Sequence, residues 1–98
     1  MKRQIANGYD LLLLTEPEKR LEPEVMDYYN GEVVQMIAEK YGYNQMDALR
    51  AFVSSKTHEM LENEDYGLTS FGAGGIFEIW ESEKVTGDPK NSIYIRGE

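Results

Sequence analysis

Val25–Leu61 reads VMDYYNGEVVQMIAEKYGYNQMDALRAFVSSKTHEML, and this stretch decides the fold. Its apolar residues recur at helical spacing on both sides of a short glycine-containing turn. At 100° per residue, Val25, Met26, Tyr29, Val33, Met36, Ile37 and Tyr41 fall in one half of the helical wheel. Glu24, Asp27, Glu32, Gln35 and Glu39 fall in the other. Pro23 is pre-organised for a first helical position, and Glu22 and Glu24 complement the positive end of the helix dipole. A first helix is therefore predicted over Pro23–Tyr41. Gly42 takes the left-handed conformation cheaply and should stop it. Asn44 is placed to cap a second helix, with Asp47 in its first turn. So short a connection makes the two helices antiparallel neighbours.

On the second segment Ala48, Leu49, Phe52, Val53 and Met60 share a face, with Met46 at its margin. Ser54, Ser55 and Thr57 are weak helix formers. Residues 44–62 thus read either as one helix or as two with a break near Ser54. Gly31 weakens the first helix by ~1 kcal/mol relative to alanine. It lies on the polar side, where it is tolerated or else marks a close backbone contact.

Outward from this pair the pattern weakens. Met1–Gly8 is polar. Asp10 is a candidate cap for Leu11–Leu14, which reads as one or two helical turns buried on the pair, with a short strand as the alternative. Thr15-Glu16-Pro17-Glu18 has capping-box spacing. Asn63–Gly67 reads as an acidic turn, and Ser70 is placed to cap the segment after it. Phe71–Gly75 reads as a flexible lead-in to a third helix over Ile76 to about Lys84, stopped by Gly87-Asp88-Pro89. Residues 92–96 alternate like a short strand, with no partner strand in sight.

Composition narrows the function classes. Ten basic and 18 acidic residues among 98 give a net charge of −8. That charge repels nucleic-acid phosphates and anionic lipid heads, and it favours a partner with a basic surface. There is no cysteine, which removes disulfides, thiolate catalysis and cysteine zinc sites. Leu11–Leu14 is too short for the core of a signal peptide or for a membrane span, so a cytoplasmic protein is expected.

Three constellations carry chemistry on paper. His58, Glu59 and Glu62 resemble half of a zinc-protease helix, but Glu62 stands where that pattern has its second histidine, and His58 is the only histidine in the chain. Gly72-Ala73-Gly74-Gly75 resembles a phosphate-cradling loop, yet no Lys-Ser/Thr pair follows and Phe77 replaces the third fingerprint glycine. Glu59, Glu62, Glu64 and Asp65 lack the alternation of a calcium loop. Aromatic residues are the more informative signal. Tyrosine and tryptophan bury large area at low entropic cost and mark protein interfaces. Tyr66, Trp80, Tyr94 and Arg96 form the candidate interaction surface.

Leu11–Pro17 (LLLLTEP), Lys19–Tyr29 (KRLEPEVMDYY), Ser55–Leu61 (SKTHEML) and the W-E-x-E-K-V-T-G-D-P-x-N-S-x-Y run within Ile76–Ile95 together resemble a family of short acidic bacterial proteins of unassigned function. The resemblance implies a small cytoplasmic helical protein, similar to companions of toxin-like or mobile-element genes. It supplies no site residue.

The sequence thus predicts one all-α domain over 1–98. Three to four helices would form a small bundle around an antiparallel pair, with an extended C-terminal tail. The function expected is a non-enzymatic protein–protein interaction module, an adaptor or antitoxin-like neutraliser. It needs no cofactor or metal, has a protein partner or forms a homodimer, and touches no membrane. One alternative is a regulator acting on nucleic acid, or on a protein that binds it, through Lys40, Arg50 and Lys56. A metal-dependent hydrolase using His58, Glu59 and Glu62 is the remote one.

Overall fold

The computed structural model describes residues 20–96. The readings of Leu11–Leu14 and of Thr15–Glu18 lie outside the described residues. The described chain is mainly helical and contains no strand. Helix α1 spans Pro23–Tyr41, α2 Gln45–Val53, α3 Lys56–Glu62, α4 Gly72–Thr86 and α5 Ile93–Arg96. Short 3-10 turns occupy Glu64–Tyr66, Leu68–Phe71 and Pro89–Asn91. No helix among the described residues is long and apolar enough to cross a membrane.

Helix α1 begins and ends where its sequence dictates. Pro23 sits in the first turn, and Gly42 closes the helix at φ 74° with its N–H on the Ala38 carbonyl. Asn44 Oδ1 then accepts the Asp47 N–H at 2.8 Å and starts α2. At Ser54 the helix breaks. Ser54 Oγ turns back to the Arg50 carbonyl at 2.7 Å. Ser55 adopts extended backbone and caps α3 by accepting the His58 N–H at 3.0 Å. Two adjacent serines satisfy the ends of two helices, which resolves residues 44–62 as a helix pair.

The core draws on four helices. Val33 and Ile37 of α1, Phe52 of α2, Leu61 of α3, and Ile76 and Ile79 of α4 are fully buried. Each contributes roughly 1.5–3 kcal/mol relative to exposure. Helix α1 packs on α2 and α4, and α3 packs on α4. The stripe on α1 is rotated from the expected one: Val34 is buried, whereas Val25 is 36% exposed.

Three expectations need correcting. The glycine run is no lead-in, because α4 starts at Gly72, where φ is 73°. Gly75 is buried in the first turns, and a Cβ there would stand 2.7 Å from Phe71 Cβ and 3.4 Å from the Tyr94 ring. Its missing side chain is what lets Phe71 and Tyr94 close over the helix. Ser70 does not cap α4; its hydroxyl donates to the Gly67 carbonyl at 2.9 Å within the preceding turn. The C-terminal segment is helical rather than extended. Ser92, only 4% exposed, accepts the Tyr94 N–H on its side chain at 3.1 Å and the Ile95 and Arg96 N–H groups on its carbonyl. With no strand among the described residues to pair with, the local serine turn wins.

Gly31 has nothing within 4 Å of a Cβ built upon it. Gly31→Ala should therefore raise stability by about 0.5–1 kcal/mol in urea unfolding. Gly75→Ala should lower it by about 1–3 kcal/mol through overpacking. Equal effects at the two positions would contradict these assignments.

Candidate functional site

Helix α2 carries two apolar strips. Ala48 and Phe52, one turn apart, are fully buried against the core. Met46, Leu49 and Val53 follow i, i+3, i+7 spacing along the other side and are 56%, 36% and 42% exposed. A helix packed on one neighbour buries one strip, so the second is left facing out. Beside it runs a shallow groove of about 250 Å³ lined by Asn30, Gly31 and Val34 of α1 and Gln45, Met46 and Leu49 of α2. Gly31 leaves its floor without a side chain.

His58 anchors one wall of this groove from inside. The residue is 9% exposed, and its ring meets Phe52 edge-on at 5.0 Å between centroids. Its Nε2 lies 3.0 Å from Asn30 Oδ1, an oxygen that only accepts, so Nε2 donates. Burial pushes the imidazole below its ordinary value of 6.5, and the charge of Glu62 works against that shift. A histidine read as a metal ligand is thus a core group that orients Asn30. Glu62, the second ligand candidate, pairs with Arg20 at 3.7 Å. Among the described residues no group of three or more His, Cys, Asp or Glu is placed to hold a metal ion.

A second, polar cleft of about 480 Å³ lies where α3 meets the turns around Tyr66 and Pro89. Arg20, Lys56 and Lys90 line it together with Glu59, Glu62 and Asp88, so its charges balance. Tyr66, 52% exposed, is on its wall.

The α1–α4 contact is closed by an aromatic cluster. Trp80 meets Tyr41 edge-on at 5.9 Å and stacks near Phe77 at 6.3 Å. Lys84 Nζ stands 5.3, 6.0 and 5.9 Å from the centroids of Tyr41, Tyr43 and Trp80, a cation held among three rings. Glu81 accepts from Tyr41 Oη at 2.6 Å and from Lys40 Nζ at 2.6 Å. Burial opposes the charge on Glu81, but the hydrogen bonds from Lys40 and Tyr41 prevail and hold its carboxyl below the ordinary value. The same bond to Glu81 raises both Lys40 and Tyr41.

The four residues of the expected interaction surface do not converge. Trp80 is 5% exposed and belongs to the core. Tyr94 is half-buried against Phe71, with ring centroids 5.4 Å apart. Tyr66 and Arg96 are exposed. Each member of the basic trio has acidic company: Lys40 pairs with Glu81, Arg50 pairs with Asp47 at 3.7 Å, and Lys56 lines the balanced cleft. The strip on α2 escaped the sequence reading, which assigned Leu49 and Val53 to the packed face. The available signal was the division of its apolar residues between two spacings, Ala48/Phe52 and Met46/Leu49/Val53.

Compared with family models, with curated proteins and with solved structures, the chain matches none.

The His58 shift predicts a pH dependence. The unfolded chain takes up a proton near pH 6.5 while the folded chain resists it, so this contribution to stability is intact above that pH and is lost as pH falls. Between about pH 7.5 and about 5.5, wild type should lose stability relative to His58→Gln, which keeps a donor without titrating. Parallel stability curves for the two chains would refute it.

Proposed function

We propose that this chain is a non-enzymatic protein–protein interaction module that works in the bacterial cytoplasm and receives its partner on the α1–α2 groove. The observation that carries this reading is the exposed strip Met46–Leu49–Val53 beside the open backbone at Gly31. Methionine at its edge adapts to irregular partner surfaces. Contiguous exposed apolar side chains of this kind mark interaction surfaces on small proteins.

The magnitudes say what kind of interface this is. Covering the remaining exposed area of three partly buried apolar side chains contributes roughly 2–4 kcal/mol. Association itself costs about 4–15 kcal/mol. The strip is therefore the centre of a larger interface, completed by polar and charged contacts around it. An adaptor or an antitoxin-like neutraliser fits this description.

The test is affinity capture from the native host at physiological salt, with the full chain as bait. A partner retained by wild type and by Tyr66→Ala but lost with Leu49→Glu is expected. A partner lost with Tyr66→Ala and kept by Leu49→Glu would move the interaction to the polar cleft and contradict the proposal.

A further inference from the structure

The shape and charge of the groove restrict its occupant. Building on the interaction reading above, we infer that the α1–α2 groove receives an amphipathic helix of another protein, with a leucine- or methionine-type apolar face and flanking lysines or arginines.

The walls decide that the occupant is helical. Both are helices, whose backbone N–H and C=O groups bond within the helix, so the groove offers no edge to which an extended peptide could add. Its polar lining is the side chains of Asn30 and Gln45, and the Asn30 oxygen accepts from His58 Nε2. A helix brings its own backbone bonds satisfied and needs only an apolar ridge to lay down. Gly31 makes room for that ridge, since no atom lies within 4 Å of where its Cβ would be. The strip from Met46 to Val53 spans about two helical turns, roughly 10 Å. It matches partner residues at i, i+3 or i+4, and i+7.

The charge around the groove decides the sign of the flanks. Glu24 and Asp27 precede Gly31 by seven and four residues, which sets them on its side of α1, and both are exposed. On α2, Asp47 is offset by Arg50 at 3.7 Å. The rim is therefore acidic on the α1 side, within a chain of net charge −8. A second copy of the chain carries the same net charge of −8 overall and nucleic acid carries phosphates, so both are disfavoured beside a basic partner. A basic flank is attracted, and it supplies the charged contacts that the strip needs around it.

A displayed library of helical peptides, randomised at the apolar face and in the flanks, should be selected against the full wild-type chain at low salt. Enriched peptides should carry apolar residues at i, i+3 or i+4, and i+7 and a net positive charge. Their affinity should fall about tenfold or more for Gly31→Leu, which projects a side chain into the groove from a position whose Cβ would have nothing within 4 Å. It should also weaken as salt is raised from about 0.05 to about 0.5 M. Enriched peptides that are acidic or neutral, yet sensitive to Gly31→Leu, would overturn the basic partner and leave the interaction reading standing. Binding that survives Gly31→Leu, or a library that yields no enrichment, would overturn the groove as the site. A homodimer in sedimentation that Gly31→Leu dissociates would show that the occupant is a second copy, and would overturn the inference as well.

Discussion

Two carboxylates on one helix hold the described structure in register. Glu83 of α4 accepts the Lys56 and Thr57 N–H groups at 2.9 Å each and the Thr57 hydroxyl at 2.7 Å. It meets the first turn of α3, where unsatisfied donors and the dipole both favour a negative charge. Two residues earlier, Glu81 takes the Tyr41 hydroxyl and the Lys40 ammonium at the end of α1. Apolar packing among Ile37, Phe52, Ile76 and Ile79 supplies the driving force, but it has no direction. The acids supply direction. They fix α4 against the end of α1 and the start of α3, and so place His58 beneath the groove.

This arrangement divides the acidic surplus into two roles. Glu81 and Glu83 are structural, each bound to donors of a neighbouring helix. Glu24 and Asp27 stay exposed and give the groove rim its sign. Net charge alone does not separate these roles, because it counts every carboxylate equally. Position does: an acid within reach of another helix's donors, backbone N–H groups for Glu83 and side chains for Glu81, is bound, whereas Glu24 and Asp27 stay exposed.

Local chemistry was legible in the sequence, and long-range chemistry was not. Pro23, Gly42 and Asn44 set the bounds of α1 and the start of α2 because each acts on its own backbone. The break at Ser54–Ser55 was visible as one of two outcomes for the same reason. The start of α4 at Gly72 was hidden. Position 75 needs glycine because Phe71 and Tyr94 pack against it, and Tyr94 lies far along the chain. The helical turn at Ile93–Arg96 was misread because two alternating apolar residues fit a strand as well as a turn. At the candidate site, His58 stands out in the sequence as half of a zinc-protease pattern, although its ring is a packed donor to Asn30. Met46, Leu49 and Val53 were passed over because an apolar helical face is ordinarily core, and only the position of α1 shows which of two strips is covered.

Helix α2 presents one apolar strip to the core and another to the outside. Phe52 and Val53 are adjacent in sequence and stand on opposite sides of that division, 0% and 42% exposed. Equilibrium unfolding of Phe52→Ala and Val53→Ala in the full chain tests it most directly. Phe52→Ala should cost about 3–5 kcal/mol. Val53→Ala should stay within about 0.5 kcal/mol of wild type, since Val53 is 42% exposed and lies outside the core cluster. Comparable losses of several kcal/mol at both positions would make the second strip part of the core, and would contradict the claim that it is a surface for a partner.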